Sequence, residues 1–412
     1  MKTFKFSALA ASAMAIATSA PAADLEVVHW WTSGGEAAAV AEFAKALDAT
    51  GKHKWIDGAI AGGGGTNAIP AVVSRMLGGD PVGAAQFNHG RQAEELVAEG
   101  LFLDLTDLAE KEGWRDFVFP TSLLDACTLD GRLYCVPVNI HSWQWIWLNN
   151  GAFAKAGVDV PSNWGEFVAS ADALRAAGVA PMATGSQAWQ SSGLITNVLA
   201  VSLVGTEAWA RVNVQKDAAF AAGPEYAAVF EAAEVARSLS ADIEVTDWNL
   251  ATAAVITGQA AAQIMGDWAQ GEFAVANAVA GEDYTCLPGL GENKVLQLGG
   301  DAFYFPKNKD ADVEAAQLEL ASLMMSKQVQ VNFNLKKGSL PVRGDVDLSA
   351  ANDCMRQGLA ILAEGNVLPG GDMALTRDTV ESINDLMVQF WNSDMSAAEV
   401  QQKYAALIAS AD

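Results

Sequence analysis

From Asp24 onward the chain alternates short apolar runs with amphipathic helical stretches, joined by glycine-bearing turns. Strand–turn–helix units of this kind build a mostly parallel sheet covered by helices, so the expected fold class is α/β. Residues 24–31 (DLEVVHWW) read as a buried strand. Thr32-Ser33-Gly34-Gly35 turns the chain, and Val40, Phe43, Ala44 and Leu47 then fall on one face of a helix. A second helix is expected over 68–77, a returning strand over 80–87 and helix again over 92–99. The tryptophan-rich run 135–147 reads as one long strand. Helices follow from Trp164 and over 188–203, 207–210 and 224–239, and 260–265 is a short strand. Residues 295–299 and 302–306 look extended. Asp312 is expected to cap a late helix, and Ser396-x-x-Glu399 is a capping box. At 412 residues, with no repeat and no low-complexity linker, the chain suits two or three domains joined by ordered crossings.

The first 23 residues have the layout of an export signal. Lys2 and Lys5 supply positive charge, 6–17 is a short apolar stretch, and 18–23 offers small residues for cleavage after Ala22 or Ala23. The apolar stretch falls short of the ~20 residues a membrane span needs, and no second long apolar segment is apparent in the sequence. The chain is therefore expected to be exported to an oxidising compartment. Acidic residues number 49 against 25 basic, a net charge of −24, and loss of Lys2 and Lys5 deepens it by two. So negative a chain repels phosphate backbones and anionic lipid, which argues against nucleic-acid and membrane-surface binding.

Export favours disulfides. The four cysteines, Cys127, Cys135, Cys286 and Cys354, allow three pairings. Cys127 and Cys135 flank Leu129-Asp130-Gly131-Arg132, a turn signal, and a hairpin with a three-residue loop would set them opposite each other. The favoured pairing is Cys127–Cys135, which leaves Cys286–Cys354. No cysteine lies two to four residues from another, so a metal site is not expected.

The usual catalytic signatures do not occur. His29, His53, His89 and His141 are scattered, and neither a zinc-binding His pair nor a Gly-x-Ser-x-Gly elbow is present. Gly62–Gly65 with Thr66 and Asn67 lacks the lysine ending of a phosphate loop and reads as a plain loop. No cofactor is expected. Tryptophan is the unusual feature, with 13 in the chain. Trp30 and Trp31, with Thr32, Ser33 and Glu36, put indoles, hydroxyls and a carboxylate where a strand meets a helix. Ligands of open α/β sheets bind beyond the carboxyl ends of strands. Indole faces cover the apolar face of a pyranose, and charged or amide groups pair with its hydroxyls. Met265-Gly266-Asp267-Trp268 repeats the pattern, Trp248 stands twenty residues earlier, and Gly299-Gly300-Asp301 is a third strand–glycine–acid junction. Trp164, in a helix start among apolar residues, reads as core.

Three segments resemble the extracellular solute-binding proteins of bacterial ABC importers, in the branch that carries sugars. They are 145–167 (WIWLNNGAFAKAGVDVPSNWGEF), 265–271 (MGDWAQG) and 334–343 (NLKKGSLPVR). Within that branch the chain is similar to the glucose/galactose/mannose-binding subgroup. The resemblance implies site residues Trp30, Trp31, Glu36, Gln86 with Asn88 or His89, His141, Trp248, Trp268, Gly300, Asp301 and Lys337. One departure stands out. Gly371 occupies the place of a subgroup histidine, with Asp372 as its possible substitute, which leaves another hexose, a pentose or a small glycoside open.

The resemblance further implies a two-lobed periplasmic binding protein fold with a ligand cleft between hinged lobes. The expected lobes are 24–141 plus 298–336 and 142–297 plus 337–412, with crossings near 140–143, 296–299 and 336–338. It implies a monomer that binds a monosaccharide, a glucose-like hexose being favoured, and delivers it to membrane permease subunits without chemistry. The alternative is a secreted glycoside hydrolase using Glu36 and Asp301 as acid and base.

Overall fold

The structure, a computed structural model, describes residues 23–411. Apart from Ala23, the expected export signal lies outside them.

Two sheets organise the molecule. The first has five strands in the order β2 (Lys54–Ala59), β1 (Asp24–His29), β3 (Ala84–Asn88), β12 (Asp301–Tyr304) and β6 (Cys135–Pro137). The second has four, in the order β10 (Tyr284–Pro288), β7 (Trp145–Asn149), β9 (Ala260–Ile264) and β8 (Ala180–Met182). Two small ribbons complete the set among the described residues: β4 (Thr128–Leu129) with β5 (Arg132–Leu133), and β11 (Leu296–Leu298) with β13 (Val367–Pro369). This is the two-lobed α/β architecture expected.

Each sheet is mixed rather than mostly parallel. β1 pairs parallel with β2 and β3, as strand–helix–strand units require, but β12 runs antiparallel to both β3 and β6. β7 is likewise antiparallel to β9 and β10. A strand that arrives from the other lobe is not bound to the direction a crossover helix imposes.

The first core gathers Phe43, Phe87, Phe102, Phe303 and Phe333, all fully buried. The second is built by the helices Trp164–Ala176, Pro224–Leu239, Arg377–Trp391 and Ala397–Ala409 around Tyr226, Phe230, Phe390 and Tyr404. Trp164 packs on Phe167 in that core, as its neighbours suggested.

The chain passes between the sheets twice, from β6 to β7 and from β10 back to β12, leaves the first sheet once more after helix Lys327–Lys337, and the three crossings are stitched together. Ile140 and Leu340 exchange both backbone hydrogen bonds, at 2.7 and 2.9 Å, and the His141 N–H donates to Gly299 O at 3.1 Å. The expected long strand 135–147 is accordingly two strands, β6 and β7, separated by the first crossing.

Other expectations need adjustment. The hairpin between Cys127 and Cys135 has a two-residue loop, Asp130 (φ 50°) and Gly131 (φ 78°), both in the left-handed region that suits the twist of a tight hairpin. Cys127 therefore faces Tyr134, yet Cys127–Cys135 and Cys286–Cys354 are the disulfides formed. The helix expected from Asp312 is capped by Asp310, whose carboxylate accepts the Asp312 N–H at 2.9 Å. The two helices expected within 188–210 are one apolar helical run, Ala188–Asn213, with a π-helical segment at Leu194–Leu199. By length and composition it could cross a membrane, but Leu194, Ile195, Val198 and Leu199 are fully buried in the second core and Gly205 (φ 88°) interrupts it. The helix at 224–239 and the Ser396–Glu399 capping box fall where the sequence put them.

Candidate ligand-binding cleft

One edge of the first sheet collects the polar groups. β1 and β3 end there, and antiparallel β12 begins there, which sets Asp301 opposite Asn88. The Asp301 carboxylate is held from both sides: Gln86 Nε2 donates to Oδ1 at 2.7 Å and Asn139 Nδ2 to Oδ2 at 2.8 Å. Asn139 Oδ1 accepts the Asp301 N–H at 2.7 Å. Gln86 Oε1 accepts the Trp30 N–H at 3.0 Å. Gln86 is thus a brace between Trp30 and Asp301 and does not face the cleft. His89 also stands behind the wall, packed against Gly300. A Cβ on Gly300 would fall 2.3 Å from Asn139 O and 2.6 Å from His89 Nε2, so only glycine fits.

Glu36 sits in the first turn of helix Gly34–Asp48, capped by Ser33. Lys337 ends helix Lys327–Lys337, where a cation complements the helix dipole, and Gly338 (φ 86°) turns the chain away. Their side chains meet, Lys337 Nζ to Glu36 Oε1 at 3.0 Å, and both are buried. Burial works against the Lys337 charge, but Glu36 and Asp301 outweigh it and raise the ammonium's pKa. Burial pushes the Glu36 carboxyl up, while Lys337 and Ser33 pull against it. Burial pushes Asp267 well above the usual carboxylate range, against the Ser142 N–H that donates to its Oδ2 at 3.1 Å and against Lys337. Burial lowers His141 to about 4, and burial with the neighbouring His141 lowers His89 to about 4, so both rings are neutral at pH 7.

The aromatic wall faces these groups. Trp268 lies edge-on to His141 (centroids 5.0 Å apart) and to Trp143 (5.0 Å), and Trp143 is edge-on to Trp189 (5.5 Å). A Cβ on Gly266 would strike the Trp268 ring at 2.0 Å, so glycine there lets the indole fold back over its own turn. Lys337 Nζ lies 5.8 Å from the Trp31 centroid and 5.9 Å from that of Trp268. Trp31 also reaches into the core against Phe303 and Phe333.

Between the sheets these surfaces enclose a cavity of about 670 Å³. Of the residues singled out in the sequence, Trp30, Trp31, Glu36, Asn88, His141, Trp248, Trp268, Gly300, Asp301, Lys337 and Asp372 line it, and Gln86 and His89 do not. Asp372 accepts a hydrogen bond from Asn88 Nδ2 at 2.9 Å, and burial raises its pKa. Trp143, Gln187, Trp189, Asn197 and Gln297 also line the cavity, as does the glycine loop read as a plain loop. Trp189 stands two residues past the helix cap Gln187, and nothing local to the sequence marks it for the wall. Among the described residues, no group of three or more His, Cys, Asp or Glu side chains could hold a metal ion.

The profile of the bacterial extracellular solute-binding proteins matches residues 31–330. The chain belongs to that family. A relative from Rhizobium meliloti (strain 1021), named a probable sugar-binding periplasmic protein, is 35% identical over the whole of both chains. A Haloferax volcanii relative named a xylose/arabinose-binding protein is 25% identical over 94% of this chain and 84% of its own. Among solved structures, a chitin oligosaccharide binding protein matches with a TM-score of 0.75 at 20% identity, covering 94% of this chain and 98% of that one. At that identity the likeness shows the shared fold.

Proposed function

We propose that the protein is the periplasmic receptor of an ABC importer for a neutral sugar, and that it grips one pyranose, a glucose-like hexose by preference, at the floor of the cleft. One observation carries the reading: the Trp268–His141–Trp143 wall stands beside an amide-braced carboxylate, Asp301, and the Glu36–Lys337 pair. Indoles supply an apolar face for ring C–H groups, and the braced carboxylate accepts hydroxyl protons without moving. The family and the relative's name support delivery of the sugar to permease subunits.

The lobes of this reading are 24–141 plus 298–336 and 142–297 plus 337–412. The stitched crossings are the hinge, and ligand stabilises closure through its higher affinity for the closed form. The receptor works as a monomer. Glu36 acts as the counter-ion of Lys337 and not as a catalytic acid, so no bond in the sugar is cleaved. Calorimetric titration of the mature protein with glucose, galactose, mannose and xylose tests this. Saturable heat with unchanged sugar by chromatography is expected. Release of product from a glycoside, lost in Glu36→Gln, would establish the hydrolase instead.

A further inference from the structure

The walls of the cleft touch at two places, and the space between them is still roomy. On one side Asn88 Nδ2 meets Asp372 Oδ2 at 2.9 Å, and a Cβ on Gly90 would lie 2.7 Å from Asp372 O. On the other, the glycine loop touches the opposite wall, where a Cβ on Gly63 would lie 2.8 Å from both Gln187 Oε1 and Trp189 Cζ2. With the two walls in contact at these points, a cavity of about 670 Å³ still remains along the cleft. It falls within the roughly 300–1,000 Å³ that accommodates ligands well above the size of one sugar ring.

The spare room has polar equipment of its own. Gln297, 1% exposed, lines the cavity, and its Oε1 has no partner. Its Nε2 donates to Asn197 Oδ1 at 2.9 Å, which fixes the orientation of both amides. A buried amide oxygen without a donor is costly, and a ligand hydroxyl would satisfy it. Gly371 faces this pair. The nearest atom to a Cβ there would be Asn197 Oδ1 at 3.5 Å, so the position has space for a side chain and carries none.

We infer that the ligand is a neutral disaccharide whose second ring fills the bay between Gly371, Asn197 and Gln297. This rests on the sugar-receptor reading and deepens it. The first ring takes the floor beside Asp301 and Trp268, and the second donates a hydroxyl proton to Gln297 Oε1.

Titration calorimetry of the mature protein against glucose, galactose, mannose and xylose, and against maltose, cellobiose, trehalose, melibiose and lactose, tests the assignment. At least one disaccharide binds about tenfold or more tightly than the best monosaccharide. Gly371→Leu, at a position with no positive φ and room for a Cβ, brings that ratio down to about one, with a thermal melt confirming the fold. Should that variant not fold, Gln297→Met reads out the same bay and lowers the ratio. A monosaccharide that matches or beats every disaccharide in the unaltered protein overturns the inference and leaves the receptor reading intact. A disaccharide preference that survives a folded Gly371→Leu overturns the placement of the second ring. Absence of binding by any sugar removes the receptor reading and the inference with it.

Discussion

Lys337 Nζ lies 3.0 Å from Glu36 Oε1, and the two side chains are 3% and 9% exposed. The pair ties the end of helix Lys327–Lys337 to the start of helix Gly34–Asp48 directly beneath the cleft. Removing one partner leaves the other charge buried and uncompensated, at a cost of about 3–5 kcal/mol. Lys337→Met should therefore lower the unfolding free energy by an amount of that order in urea titration. The double variant Glu36→Gln/Lys337→Met should recover part of the loss. A single variant as stable as the parent would show that the pair adds nothing to the fold.

Trp268 separates binding from folding. A well-placed aromatic contact contributes about 0.5–1.5 kcal/mol beyond the area it buries, so Trp268→Ala should cut sugar affinity by about tenfold or more. The loss of thermal stability should be smaller, because the ring lines the cavity as well as packing on the first core. Equal losses in calorimetry and in melts would return Trp268 to the core.

Much of this fold could be read along the chain because its signals are local. Pro224 at the first helical position and the Ser396–Glu399 box fix helix starts through short-range hydrogen bonding and φ restriction. Where two nearby residues could do one job, the sequence did not choose between them: Asp310 caps the helix and Asp312 sits in its first turn. The run 135–147 carries no local mark of where a sheet ends and a crossing begins. Its break arises from the pairing of Ile140 with Leu340, two hundred positions apart. The cleft divides in the same way. Trp30, Trp268 and Asp301 lie at strand ends and were visible. Trp143 and Trp189 join the wall only through tertiary packing, and Gln86 spends both its amide groups inside the protein.

His141 makes stability depend on pH. Its folded pKa of about 4 lies below the model-peptide value of about 6.5, so the neutral ring is favoured by folding. The unfolded chain binds the proton first as pH falls. The contribution is complete above pH ~6.5 and is lost as pH drops toward 4. Asp267 and Glu36, whose folded pKa values are raised, act with the opposite sign from about pH 4 upward, and His89, also lowered to about 4, acts with the same sign, so the variant is read against its parent. His141→Asn should flatten the rise of unfolding free energy between pH 4 and 6.5 by up to about 1.4 kcal/mol per pH unit. Parallel profiles for parent and variant would refute a buried neutral His141.

Gly35 allows a backbone contact between helices. A Cβ there would fall 2.5 Å from Gly271 C, and the Gly35 N–H donates to Glu272 Oε1 at 2.7 Å. Gly35→Ala forces helix Gly34–Asp48 away from helix Ala269–Val275 and breaks this bond, and overpacking of that kind costs about 1–3 kcal/mol. A drop in melting temperature is expected, together with weaker sugar binding, because Glu36 follows directly. Unchanged melting would mean that the two helices are free to separate.

The two disulfides should differ in worth because they close loops of different length. Cys127–Cys135 spans 8 residues and Cys286–Cys354 spans 68. In the chain-entropy account, the restriction placed on the unfolded state grows with the logarithm of loop length, from about 2.5 kcal/mol for the short loop to about 4.4 kcal/mol for the long one. The long bridge also joins β10 of the second sheet to helix Asp353–Ala363, two segments far apart in sequence. Replacing Cys286 and Cys354 by serine should therefore lower the unfolding free energy more than the same change at Cys127 and Cys135, by about 2 kcal/mol in urea titration. Equal losses, or a larger loss at the short bridge, would show that native packing at the hairpin and not loop closure sets the contribution of these cross-links.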